Sequence, residues 1–206
     1  MGLREIKMGR TRRQIADHAF ALFMTQGFES TTIEQIATAA EVGTRTLYRY
    51  YPTKESLIVD FVESSLGAAA AELRKQPDDL ALPHALYAMI ETVMRVTRED
   101  ADRVLAVYRL AEQAPSVKAR LAEQALRWRI EVAGEVSRRT GGGAQADLVA
   151  ALVAANAMNI IDITMRTWVM GGGVRNPDSI AEEVLRVMHD GVPMPIAPVP
   201  AAPSMN

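Results

Sequence analysis

Apolar residues recur every three to four positions along nearly the whole chain, and no stretch sustains the period-2 alternation that a half-buried strand requires. That pattern confines the sequence to all-α folds. Its punctuation divides the helices. Thr11 with Gln14 has capping-box spacing and is expected to open a first helix, whose apolar face (Ile15, Ala19, Leu22, Phe23) ends at Gly27. Thr31 with Glu34 repeats the box ahead of Ile33, Ile36, Ala37 and Ala40. After the break at Glu41-Val42-Gly43, a third helix is expected from Thr44 to Tyr51, and Pro52-Thr53 opens a fourth that continues to Lys75. Longer helices are expected at 83–97, 101–112, 117–139, 145–170 and 177–190, about nine in all. The triple glycines Gly141–Gly143 and Gly171–Gly173 bracket the 145–170 segment, and no Lys-Ser/Thr follows either to make a phosphate loop. The closing "PMPIAPVPAAPSMN" is too rich in proline to continue a helix. Three parts result: a small helical head over 1–57, a helical body over 58–192 and an extended, disordered tail over 193–206.

Composition excludes several kinds of chemistry. With no cysteine there is no disulfide, thiolate nucleophile or thiolate metal site. His18, His84 and His189 lie far apart, so local spacing assembles neither a metal cluster nor a nucleophile-base pair, and the chain reads as a non-enzyme without a cofactor. The charged start "MGLREIKMGRTRR" lacks the apolar stretch of a secretory signal, and Asn156, Asn159, Asp162 and Arg166 interrupt the longest apolar segment. A cytoplasmic protein without a membrane span is expected. Net charge is only −2, yet residues 1–13 hold Arg4, Lys7, Arg10, Arg12 and Arg13 against the single acid Glu5. A basic arm ahead of a near-neutral body points to nucleic acid.

The third helix carries the densest chemistry. On a 3.6-residue period Leu47 and Tyr51 fall on one side, facing Ile36 and Phe23, while Thr44 and Tyr48 share the other, flanked by Arg45 and Arg49, with Thr46 and Tyr50 on the shoulder. So short a helix is unstable alone and must be held and displayed by its neighbours. Two short helices joined by a tight turn, the second presenting hydrogen-bond donors, form a helix-turn-helix whose second helix enters the DNA major groove. Arginine forks onto guanine, threonine meets a phosphate or thymine methyl, and tyrosine hydroxyls reach phosphates. Lys54, a cation in the first turn of the fourth helix, opposes the helix dipole unless a bound phosphate offsets it.

The stretch "TTIEQIATAAEVGTRTLYRYYPTKESL" closely resembles the DNA-binding region of TetR-family transcriptional regulators, whose pattern appears here as Thr46-Leu47-Tyr48-Arg49-Tyr50-Tyr51 followed by Lys54 and Leu57. The resemblance implies a three-helix DNA-binding head, homodimers reading a palindromic operator in double-stranded DNA, and a body that binds a small molecule and releases DNA. It places Thr44, Arg45, Thr46, Tyr48 and Tyr50 on the recognition helix, with Arg49 beside them. Thr32 and Lys54 take phosphate-contacting positions, and Arg10, Arg12 and Arg13 reach the adjacent groove or backbone. It also assigns subunit pairing to the last two helices, 145–170 and 177–190. Two departures stand out: Glu41 where the family often has glycine in the turn, and Gly43 where it often has a serine cap.

For the effector site the candidates are Tyr87, Met89, Met94, Tyr108, Arg109, Trp128, Met158, Met165 and Trp168, because methionines and aromatics suit adaptable apolar pockets. Asn156, Asn159, Asp162 and Arg166 form a polar stripe that either orients a ligand head group or, through an Asp162–Arg166 pair at i,i+4, is structural. A small hydrophobic effector is expected, an acyl chain or a planar drug-like molecule. The competing readings are a ligand-independent helix-turn-helix or architectural protein and, behind it, a helical enzyme.

Overall fold

The computed structural model describes residues 2–191, so the expected tail at 193–206 lies outside the described residues. Among these the chain forms nine helices and no strand: α1 (Leu3–Gln26), α2 (Ile33–Ala39), α3 (Thr44–Tyr50), α4 (Lys54–Lys75), α5 (Leu82–Glu99), α6 (Ala101–Gln113), α7 (Pro115–Arg139), α8 (Ala144–Met170) and α9 (Pro177–His189). Two expected starts are displaced. α1 begins at Leu3, and Thr11 lies within it, so the arginines expected on an arm ride on a helix. α2 is capped one residue later than expected: the Thr32 hydroxyl accepts from the Gln35 amide at 3.2 Å, and the Gln35 side chain accepts from the Thr32 amide at 2.9 Å. Thr31 is instead buried, its hydroxyl donating to the Gly27 carbonyl at 2.7 Å. At the far end of the body Gly173 is held by space as well as conformation. Its φ is +75°, and an added Cβ would lie 2.8 Å from Leu105 Cδ1 and 3.2 Å from the Trp168 ring.

The buried side chains fall into two clusters. One gathers Ile15, Ala19 and Phe23 of α1, Ile36 of α2, Leu47 and Tyr51 around α3, and Leu57 and Ile58 of α4. Val107 and Leu110 of α6, Ala114 and Val117 complete it, although all four lie in the part expected to be the body. Fully burying such a valine or leucine contributes roughly 1.5–3 kcal/mol, so the head borrows a sizeable share of its core. The second cluster packs Leu66, Ala69 and Leu73 of α4 against Met89, Val93, Trp128, Val132, Ile161 and Trp168. A division at residue 57 therefore runs through the start of a helix that serves both clusters.

Two polar struts fix α4 against α7. The Trp128 indole N–H donates to the Leu66 carbonyl at 2.9 Å. Arg139, whose side chain is 3% exposed, donates to the carbonyls of Leu73 (2.7 Å), Gln76 (2.6 Å) and Pro77 (3.1 Å) and to Glu135 at 3.0 Å. The guanidinium thus satisfies carbonyl groups left open where α4 ends.

α8 corrects the membrane expectation in one respect: an 18-residue window within it reaches a mean hydropathy of 1.7, long and apolar enough to cross a membrane. Here it packs on α7 and α9, burying Ala150, Ala154, Ile160, Ile161 and Trp168. Leu148, Leu152, Ile163 and Met170 face outward, each about half exposed or more.

Replacing Arg139 by methionine should cost about 3 kcal/mol, since it strands several carbonyls and the Glu135 carboxylate, and a depressed unfolding midpoint would report it. Hydrogen bonds from Arg138 and Arg139 hold the Glu135 carboxyl below its ordinary range, against the opposing effect of burial. Its contribution is therefore complete above the unfolded carboxyl pKa of about 4.3 and lost as pH falls through the lower folded value. Acid unfolding of Glu135→Gln should show a weaker pH dependence over that window.

Candidate functional site

The turn ahead of α3 is built by hydrogen bonds rather than by a cap side chain. The Val42 amide donates to Ala37 at 2.9 Å and the Glu41 amide to Thr38 at 3.1 Å, which is the Schellman closure of α2. It requires a left-handed residue, and Glu41 supplies it at φ 54°. Gly43 then caps α3 without a side-chain bond, its carbonyl accepting from Thr46 at 2.8 Å and Leu47 at 3.0 Å. Leu47 and Tyr51 are sealed in the first cluster and hold the seven-residue helix in place. Thr44, Arg45, Tyr48 and Arg49 are left exposed, with Thr46 and Tyr50 half-covered at the side. The Arg49 guanidinium lies 5.3 Å from the Tyr50 ring centroid. Arg45 and Arg49, like Arg10 and Arg13, have no acidic partner among the described residues, so the face presents cations and hydroxyls together. Thr32 is exposed beside it; its oxygen is used as the cap, leaving the hydroxyl proton to donate outward.

Two of the nominated cations have partners within the chain. Arg12 donates to Asp60 Oδ1 through Nε at 2.9 Å and Nη2 at 2.5 Å, and lies 5.4 Å from the Tyr51 ring. The Tyr51 hydroxyl, 2.8 Å from Asp60 Oδ2 and 3.1 Å from the Arg12 carbonyl, closes that knot of α1 on α4. Burial first, and then the hydrogen bond to Asp60, push the Tyr51 phenol well up from its ordinary pKa. Lys54 folds back onto the α1–α2 connection, donating to the carbonyls of Phe28 at 2.7 Å and Thr31 at 3.2 Å, with Nζ 4.3 Å from the Phe28 ring. That arrangement explains a cation at a helix N-terminus without any phosphate.

In the body a cavity of about 60 Å³ lies between α4, α5, α6 and α8, its wall including Phe61, Ser65, Thr97, Val107, Tyr108 and Met165. Of the nominated effector residues only Tyr108 and Met165 line it. Tyr87 and Arg109 are exposed; Met89, Met94, Trp128 and Trp168 are buried in packing, the Trp168 indole donating to the Arg175 carbonyl at 2.8 Å; Met158 packs half-buried against the same cluster. Asp162 and Arg166 form the i,i+4 pair at 3.0 Å, and Asn156 and Asn159 are exposed on α8. Phe61 and Val107 were missed because nothing in their local sequence marks them: the wall exists only where four helices converge.

Another missed residue joins the cavity to the head. Arg103 of α6 places its guanidinium 5.1 Å from the Phe20 ring of α1 and 5.2 Å from the Phe61 ring of α4, while Nη1 donates to Asp17 of α1 at 2.7 Å. Phe61 therefore touches the cavity on one side and an α1-bound cation on the other.

Residues 15–60 match the profile described as bacterial regulatory proteins, tetR family, and residues 80–193, more than half of the chain, match the MftR C-terminal domain of that group. The chain belongs to the TetR family. Among curated relatives, the HTH-type transcriptional regulator TcmR of Streptomyces glaucescens is 36% identical over 143 residues, covering 66% of this chain and 62% of the relative. The chain thus spans less than two thirds of that protein. The putative mycofactocin biosynthesis regulator MftR of Mycobacterium tuberculosis is 29% identical over 142 residues, covering 67% and 72%. Among solved structures, the TetR-family repressor FadR of Thermus thermophilus, in complex with lauroyl-CoA, superposes with a TM-score of 0.61 at 25% identity, covering 93% of this chain and all of that one.

Two substitutions check these TetR-family assignments. Lys54→Met should lower thermal stability by about 1–3 kcal/mol through the abandoned carbonyls yet leave the salt dependence of DNA binding unchanged; a flatter salt slope at equal stability would return Lys54 to the phosphates. Glu41→Gly should raise the unfolding midpoint, because a left-handed non-glycine residue costs about 1–2 kcal/mol, partly offset by the chain entropy of glycine.

Proposed function

We propose that this protein is a cytoplasmic, homodimeric transcriptional repressor that binds a palindromic operator through α3 and is released from it by a small hydrophobic effector lodged in the body cavity. The observation that carries the reading is the exposed α3 face of Thr44, Arg45, Tyr48 and Arg49, held on a core completed by a cavity-lining helix. In this reading Arg45 forks onto a guanine edge, Thr44, Thr46 and the tyrosines meet phosphate or thymine methyl groups, Thr32 donates to a phosphate, and Arg10 and Arg13 reach the flanking backbone. Family membership supports all of this, as does the absence of acidic partners for those arginines among the described residues.

Pairing runs through α8 and α9. Leu148, Leu152, Ile163 and Met170 on α8, with Val187 and Met188 on α9, make an outward apolar surface of the kind obligate dimer interfaces cover. The two recognition helices then sit about one DNA turn, ~34–36 Å, or a multiple apart. An effector that parts the cavity walls moves Phe61 and Val107, and through α4, α6 and the Arg103 contacts with Asp17 and Phe20 it shifts α1 and the head. Weakening the operator 100-fold takes about 2.7 kcal/mol of such coupling. That T. thermophilus FadR was crystallised with lauroyl-CoA supports an acyl or similarly apolar effector. One observation favours a second reading, a ligand-independent regulator: at about 60 Å³ the cavity is far below the ~300 Å³ where ordinary ligand sites begin, so an effector must enlarge it.

Selection from randomised duplex DNA should enrich a palindrome bound by a dimer, and Arg45→Ala should cost about 1–3 kcal/mol on that site while relaxing one position of each half. Enrichment of no motif would contradict the repressor reading; a palindrome bound indifferently to every hydrophobe tried would leave the ligand-independent one.

A further inference from the structure

We infer that the body cavity is built for an uncharged, largely apolar molecule that carries one carbonyl-type hydrogen-bond acceptor, received by the hydroxyls of Tyr108 and Ser65. The inference rests on the effector reading above and narrows it. Nine of the twelve lining residues are apolar and none is charged, so the wall rewards hydrocarbon and offers no counter-ion. Three hydroxyl-bearing residues, Ser65, Thr97 and Tyr108, complete the lining. Thr97 is already committed, donating to the Val93 carbonyl at 2.9 Å beside the Met165 sulfur at 3.5 Å. Ser65 and Tyr108 have no hydrogen-bond partner among the described residues. Neither oxygen is among the enclosed, unpartnered atoms that include the Thr164 hydroxyl, so each keeps some accessible surface.

The charges nearby select further. Asp162 is close enough to Tyr108 to act on it, and its carboxylate is already paired with Arg166 at 3.0 Å. Burial and that carboxylate hold the phenol neutral well above its usual range, so it serves as a donor at any physiological pH. A ligand carboxylate would meet hydrocarbon on most sides and Asp162 near the phenol, with no free cation among the lining residues. An ammonium could donate to either hydroxyl oxygen, but it would give up its hydration to a wall that is mostly hydrocarbon and holds no counter-ion. A pure hydrocarbon would leave both hydroxyls dry. A ketone, ester or lactone oxygen on a flexible aliphatic body meets every requirement, and flexibility suits a cavity that must widen from about 60 Å³.

The test uses the full chain and three probes of equal length, 2-undecanone, undecanoate and undecylamine, titrated calorimetrically, with operator binding measured on the same preparations. The ketone should bind at least tenfold tighter than either ion. Tyr108→Phe should weaken the ketone about tenfold, the worth of one hydrogen bond, and erase its lead; Ser65→Ala gives the same readout should Tyr108→Phe fail to fold. Equal or tighter binding of the carboxylate, ketone affinity unchanged in both variants, or no heat from any probe overturns the inference. Operator binding reports separately on the repressor reading, which stands or falls on that measurement whatever the probes do.

Discussion

α4 buries its first turns, through Leu57 and Ile58, in the cluster that holds the head together, and its later turns, through Leu66, Ala69 and Leu73, in the cluster of the body. Phe61 and Val62, between these turns, pack against both. A helix so placed cannot shift in one cluster without disturbing the other, because interiors are close-packed and lose contact energy over fractions of an ångström. Its ends are fixed too. Thr53 and Ser56 exchange capping bonds at its start, and Arg139 gathers the carbonyls at its finish. The cavity opens beside Phe61, where the helix passes from one cluster to the other.

That arrangement explains why a seven-residue α3 can be stable. Its own hydrogen bonds do not repay nucleation, and Gly43 gives it no side-chain cap. Leu47 and Tyr51 anchor it in a core that Val107, Leu110, Ala114 and Val117 complete from the body. Anchoring from beneath frees the opposite face for display, so Arg45 and Tyr48 need no partners within the chain. The face proposed to recognise DNA therefore rests on a core that shares Val107 with the cavity wall.

Much of this was legible in the sequence because helical periodicity is a local signal, and the α3 face sorted correctly since both its sides are written within eight residues. Boundaries were harder. Adjacent threonines at 31 and 32, followed by Glu34 and Gln35, allow two capping boxes, and only burial of Thr31 decides between them. Thr11 and Gln14 imitate a helix start inside a helix that begins at Leu3. The roles of Arg12, Lys54, Arg103 and Arg139 were hidden because their partners, Glu135 of Arg139 apart, lie 23 to 86 residues away, and a cation read alone looks like a surface charge. The cavity was hidden for the same reason. Methionines and tryptophans draw attention, yet Trp128 and Trp168 spend their indoles on the carbonyls of Leu66 and Arg175.

The central claim is that head and cavity form one cooperative unit. Val107 belongs to the head cluster and lines the cavity, so Val107→Ala removes packing from both at once. Native-state hydrogen exchange of that variant is the most direct test. The account predicts faster exchange in α1, α2 and α3 together with α4 and α6. Faster exchange confined to α6 and its body neighbours, with the head amides as protected as before, would contradict it.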